Sequence, residues 1–145
     1  MFKKILVATD GSEISEKAIE TAIELARHHG AELVVFTVAR REPKSYMDGA
    51  MNNDAADDID RQRLDKAQAM VDAVGERAVA RGVSCRALVG HSSQVADAII
   101  VAAEKQQSEL IVMASHGRNG VGRLLLGSET QHVLTYSSLP VLVLR

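Results

Sequence analysis

Residues 109–133, ELIVMASHGRNGVGRLLLGSETQHV, join an apolar run to a run with helical spacing through a basic connector interrupted by glycine. Glu109 to Ala114 has the length of one strand and is apolar without alternation, the pattern of a strand buried on both faces. From Ser128 the pattern changes: SETQ has capping-box spacing, Ser128 to Gln131, ahead of a helical stretch. Between them lie Gly117, Gly120, Gly122 and Gly127, four of the ten glycines in the chain. Strand, glycine loop and helix start make one βα unit, and the fold follows if the rest of the chain repeats it.

Repetition is evident. Lys4 to Thr9, Glu32 to Ala39, Ser84 to Val89 and Leu139 to Leu144 are runs of the same kind. Ile14, Ala18, Ile19, Ala22, Ile23 and Ala26 share a helical face between Ser12, a capping residue type, and Gly30, a terminator. A long helix is expected from Asp57 to Arg81, with Leu64, Ala67, Val71, Val74 and Ala78 inward and Gly82 past its end. A third should run from Val95 to Lys105, with Ser92 or Ser93 as its cap. Strands alternating with helices specify an α/β fold, an open parallel sheet of five strands with helices on both faces. The one long irregular piece, Arg40 to Ala56, fits neither period and reads as a surface loop or lid.

A chain of 145 residues without repeat, linker or low-complexity tract suits a single domain. A net charge of −2 and the lack of any polybasic run argue against a general nucleic-acid or membrane-surface binder. MFKKILVATDG carries too short an apolar run for a signal peptide, and nothing approaches the ~20 apolar residues of a membrane span, so a cytoplasmic protein is expected. The single Cys85 reads as a small buried hydrophobe. His28, His29, His91 and His132 lack metal-ligand spacing, and no zinc-type site is expected.

In an open α/β sheet, ligands sit beyond the carboxyl ends of the strands. The first strand ends in Ala8, Thr9, Asp10, Gly11, Ser12; the second in Thr37, Val38, Ala39; the third in Gly90, His91; the fourth in the connector. Its glycines permit positive φ and close approach, and Gly127 precedes a helix whose first amides lack intrahelical acceptors, an arrangement suited to phosphate. Arg118 and Arg123 add charge: residues 115–145 hold three arginines against one acid, Glu129. Three or four charge-assisted hydrogen bonds at about 1.5–3 kcal/mol each reach the roughly −8 kcal/mol of micromolar binding before costs are deducted. The spacing excludes a P-loop and the dinucleotide fingerprint. A connector that merely turns explains the same glycines, and Arg118 and Arg123 read equally as solvated. Asp10 fits a loop cap or a ligand of ribose or Mg²⁺. His116 fits a structural role better than that of a general base, because no nucleophile with an orienting acid is recognisable nearby.

Residues 111–144, IVMASHGRNGVGRLLLGSETQHVLTYSSLPVLVL, with KKILVATDGSEISEKA near the start, resemble the universal stress protein family along the whole chain. The nucleotide-binding branch of that family carries G-x-x-G-x9-G-[ST]. Here Ala114-Ser115-His116-Gly117 is followed by nine residues and then Gly127-Ser128, a departure only at Ala114. Where the first position demands positive φ, alanine costs about 1–2 kcal/mol; where it demands smallness, alanine serves.

The resemblance implies a Rossmann-like sheet of order 3-2-1-4-5 and a site for ATP with Mg²⁺. Ala8, Thr9 and Asp10 would face the ribose and metal-phosphate region, with Asp10 as the metal ligand. Val38 would meet the adenine through its backbone. Met113, Ala114, Ser115, His116, Gly117, Arg118, Asn119 and Gly120 would wrap ribose and phosphates, and Gly127, Ser128, Glu129 and Thr130 would give amides and hydroxyls to the phosphate tail. It further implies a nucleotide-dependent stress-response module with an unidentified protein partner, homodimeric through the C-terminal edge strand around Pro140 to Leu144. A stress interaction protein that binds no nucleotide, and a slow ATPase using Asp10 with the metal, are the alternatives.

Overall fold

The computed structural model describes residues 1–42, 53–117 and 125–145. The strands are β1 (Lys4–Ala8), β2 (Glu32–Arg40), β3 (Cys85–Ser92), β4 (Leu110–Ala114) and β5 (Val141–Leu144). The helices are α1 (Glu13–His29), α2 (Asn53–Ala80), α3 (Val95–Lys105) and α4 (Ser128–Tyr136). All pairings are parallel and the order is β3-β2-β1-β4-β5, as the resemblance implies. The chain builds outward from β1 to β3, then returns to lay β4 against the other side of β1. Strand order reverses between β1 and β4, and their carboxyl ends open a crevice there.

Side-chain alternation sends the strands' apolar residues to two cores. Ile5, Val7, Leu33, Val35, Leu110 and Val112 meet Ala18, Ile19, Ala22 and Ile23 of α1 and Val71, Val74 and Ala78 of α2. Leu6, Val34, Phe36, Ile111 and Met113 meet Ala96, Ile99, Ile100 and Ala103 of α3 and Val133 of α4. Each fully buried aliphatic chain contributes about 1.5–3 kcal/mol, so both faces carry comparable weight. Leu64 and Ala67, expected inward, are only half-buried; the α2 residues buried in the core are Val71, Val74 and Ala78. Cys85 is half-buried against the first core, and burial pushes its thiol up from the ordinary value.

Local signals were followed at α1. Ser12 accepts the Ser15 amide at 3.3 Å, and Gly30 ends the helix at φ 62° with its amide on Ala26 and Arg27 carbonyls. On the outer side, Arg77 of α2 bonds Glu16 and Glu20 of α1, and Arg81 bonds Glu20 at 2.6 Å. The Arg81 guanidinium, with Arg77, holds the Glu20 carboxyl below its usual value.

Several boundaries differ from the sequence expectation. α2 starts at Asn53 rather than Asp57, and β2 takes Arg40, so the irregular stretch is shorter than Arg40 to Ala56; its positions 43–52 lie outside the described residues. Neither Ser92 nor Ser93 caps α3: its N-cap is Gln94, and the Ser92 hydroxyl accepts the Gln94 amide instead. Ser128 is the first helical residue of α4, with Gly127 as N-cap and no side-chain cap bond; the Gln131 side chain donates to the Leu126 carbonyl at 2.9 Å, so no capping box forms.

β3 continues past Val89 through Gly90, His91 and Ser92, in register with Val38, Ala39 and Arg40. Glycine is tolerated there because the Phe36 ring fills its side-chain space: a Cβ on Gly90 would lie 2.7 Å from Phe36 Cζ. Gly90→Ala should therefore cost about 1–3 kcal/mol in denaturant unfolding, the range for overpacking. Adding Phe36→Leu should recover part of that loss, and equal destabilisation in the double variant would refute the steric account.

Candidate functional site

At the end of β1 the polar groups are drawn inward. Thr9 is 6% exposed. Its hydroxyl pairs with Ser15 Oγ at 2.9 Å and accepts the Gly11 amide at 3.2 Å, while its carbonyl accepts the Thr37 hydroxyl at 2.6 Å. The Thr9 side chain is thus committed to the start of α1, and Ala8 points into the α3–α4 core; neither side chain faces the crevice. Asp10 does. Its Oδ1 accepts the Ser12 amide at 2.9 Å, and a Cβ placed on Gly117 would lie 2.5 Å from its Oδ2. The carboxylate lies across the Gly117 Cα, joining the turn after β1 to the exit of β4.

At the β4 exit, Met113 belongs to the core and contributes no side chain to the crevice. Ala114 is extended, paired with Leu144 and 8% exposed. Its φ is not positive, so alanine serves there without strain. Gly117 also lacks a positive φ; what it supplies is space for Asp10. Gly127 supplies space too, for a Cβ would meet His116 Cα at 3.2 Å. The two glycines that bracket the connector are therefore points of close approach. His116 Nδ1 lies 3.0 Å from Ser115 Oγ, a local bond consistent with a structural imidazole.

The residues on either side of the connector are joined directly. The Gly127 amide donates to the Ser115 carbonyl at 2.8 Å, and the Thr130 hydroxyl, 2% exposed with its residue, reaches the Ala114 and Ser115 carbonyls at 3.0 and 3.2 Å. This corrects two expected donors: the Gly127 amide and Thr130 hydroxyl fasten α4 to β4. The amides of Ser128, Glu129 and Thr130 have no intrahelical acceptor, because the first such bond is Gln131 to Gly127. Together with the positive end of the helix dipole they suit an anion.

The Glu129 carboxylate turns aside. Its Oε2 accepts the Ala96 amide at 2.9 Å, and its Oε1 lies 3.7 Å from Arg40. It acts as the missing cap of α3, and sequence offered no signal for a partner 33 residues away. His132 and Asp97 form a second link between α3 and α4 at 2.7 Å, also unforeseen.

Val38 stands on the wall of the crevice. The β1–β2 ladder stops at Ala8↔Phe36, whereas β2 runs on to Arg40. Phe36 accepts from β1 through the Thr9 amide, so by alternation the Val38 peptide faces the same side, one rung past the end of β1. Arg118, Asn119 and Gly120, with Gly122 and Arg123, lie outside the described residues. Among the described residues no three His, Cys, Asp or Glu side chains gather as a metal site, and no helix is long and apolar enough to cross a membrane.

A model of the universal stress protein family matches residues 1–145. Universal stress protein YxiE of Bacillus subtilis is 32% identical over 149 residues, covering 100% of both chains. A Thermus aquaticus universal stress protein is 33% identical over 145 residues, again with 100% coverage of each. Among solved structures, UspA of Lactobacillus plantarum superposes with a TM-score of 0.77 at 25% identity, covering 99% of this chain and 97% of that one. The same fold occurs in a universal stress protein in complex with cAMP (TM-score 0.68, 24% identity, 99% and 97% coverage). It recurs in one from Archaeoglobus fulgidus in complex with dAMP (TM-score 0.70, 18% identity, 99% and 98% coverage).

The fastening role of Thr130 is open to direct measurement. Thr130→Val keeps the shape and removes the buried donor, and should lower unfolding free energy by about 1–3 kcal/mol. Thr130→Ser, which keeps the hydroxyl, should retain most of the stability; the reverse ranking would show that packing of the methyl group dominates.

Proposed function

The chain belongs to the universal stress protein family, and on that premise we propose that it binds ATP with Mg²⁺ in the crevice between β1 and β4 and serves as a nucleotide-dependent stress-response module. The observation that carries this reading is the trio of amides at Ser128, Glu129 and Thr130, held beside the Asp10–Gly117 contact at the reversal of strand order. Relatives of the same fold in complex with cAMP and dAMP support an adenine nucleotide as the ligand class.

In this reading the triphosphate tail meets the α4 amides, and the adenine edge meets the peptide of Val38. Ser115, His116 and Gly117, with Arg118, Asn119 and Gly120 by family resemblance, border ribose and phosphates. Three such amide bonds at about 1.5–3 kcal/mol each, with up to ~1 from the helix dipole, reach the scale of micromolar affinity before association costs are deducted, so base and metal contacts must supply the rest. Mg²⁺ keeps most of its waters and takes one or two carboxylates besides phosphate oxygens; Asp10 fits that need, and the ion would offset phosphate charge. Thr9 and Ala8 contribute by seating Asp10.

Nucleotide released from freshly purified, denatured protein should be identified by mass spectrometry as an adenine nucleotide, and calorimetric titration with ATP·Mg should give micromolar affinity. Gly117→Val drives a branched side chain into the Asp10 carboxylate and should weaken binding at least about tenfold, or 1.4 kcal/mol. No released nucleotide and no heat from wild type would overturn the proposal.

The module is further proposed to be a homodimer through β5, the half-exposed strand at one edge of the sheet. Pro140 and Leu144 accept from β4, so by alternation the Val141 and Val143 amides face away from it. Val143→Pro removes an outward donor while sparing the β4 ladder. Light scattering should report a dimer for wild type and a monomer for this variant; a monomeric wild type at micromolar concentration would refute the dimer.

A further inference from the structure

We infer that Glu129 is a positioning residue that couples occupancy of the α4 N-terminus to the first turn of α3. This rests on the reading of that N-terminus as the phosphate cradle. Three contacts converge on the one residue. Its amide is among the three that α4 leaves without an intrahelical acceptor. Its Oε2 accepts the Ala96 amide at 2.9 Å, and its Oε1 lies 3.7 Å from Arg40 at the end of β2, two residues past Val38.

The need for this cap is built into α3. Gln94, its N-cap residue, makes no side-chain cap bond, and Ala96 is 3% exposed, so neither a local side chain nor bulk water is in place to satisfy the Ala96 amide. A carboxylate in the first turn of an isolated helix would interact favourably with its own N-terminal amides. Here the α3 amide and Arg40 draw it aside, which leaves the α4 amides to an incoming anion. An anion bound there repels the carboxylate, and that repulsion favours its seat on α3 further. Occupancy and the order of the α3 start are therefore linked, and the linkage is reciprocal. One turn on, His132–Asp97 at 2.7 Å ties the same helices, and the ring of His132 lies 4.6 Å from that of Tyr136. The exposed Val101 and Tyr136 stand on the α3–α4 face that would sense the change.

The test is hydrogen–deuterium exchange of the full chain with mass spectrometry, without ligand, with ATP·Mg and with adenosine, each sample checked for binding by calorimetry. In wild type, ATP·Mg should slow exchange of residues 95–99 at least about threefold, and adenosine, which lacks phosphate, should not. Glu129→Ala, and Glu129→Asp, which keeps the charge but falls one methylene short of Ala96, should lose that protection when compared at ATP·Mg concentrations that calorimetry shows to saturate each variant. Glu129→Gln, which keeps an acceptor oxygen, should retain part of it. Binding by wild type with unchanged exchange in α3 would overturn the coupling alone, as would full protection in both Glu129→Ala and Glu129→Asp. Absence of any binding would overturn the nucleotide reading and the coupling with it.

Discussion

The carbonyl of Ser115 is the knot on which the C-terminal half of this fold depends. It accepts the Gly127 amide and the Thr130 hydroxyl, while the amide of the same residue donates to Leu144 of β5. The backbone of this one residue thus fixes the far end of a nine-residue connector, the first turn of α4 and the last pairing of the sheet. Once the turn is seated, Val133 drops into the core against β4, and its burial secures the helix more strongly than its weak intrinsic amphipathicity would. The buried hydroxyl of Thr130 is equally demanding, because the carbonyls it serves are closed off from water.

That closure explains why the motif holds small residues at its fixed points. Gly127 must let the His116 backbone pass within van der Waals contact, and Gly117 must admit the Asp10 carboxylate. Neither position uses the left-handed conformations that glycine alone adopts easily. Ala114 belongs to the same logic one step earlier, as an ordinary strand residue with a small side chain. A substitution that looks like a break in a phosphate-binding pattern is neutral as regards backbone strain.

Much of the fold was legible because it is written locally. Apolar runs without alternation marked a parallel sheet, and Ser12 and Gly30 marked the ends of α1 by their own backbone chemistry. The cap of α3 was not legible, since Glu129 makes it across the tertiary structure, and neither was the fastening of α4, where the Thr130 hydroxyl donates to the Ala114 and Ser115 carbonyls. Serines at 92, 93 and 128 suggested local caps that the fold does not form. The candidate site was legible in position, through strand ends and glycine spacing, but less so in role. Thr9, Met113, Gly127 and Thr130 share the neighbourhood and spend their side chains or amides on holding it together.

The crevice itself comes from unequal strand lengths. β1 and β4 have five residues each and stop at Ala8 and Ala114, whereas β2 and β3 run on as a pair to Arg40 and Ser92. The continuation is possible because Gly90 and Phe36 share one side chain's space between two strands, so the longer pair stays regular where a bulky residue at 90 would force it apart. A short floor beside a tall wall leaves the Val38 peptide edge without a β1 partner, one rung beyond the end of that strand. The packing of Phe36 on Gly90, remote from any ligand chemistry, is in this sense what gives the crevice its depth.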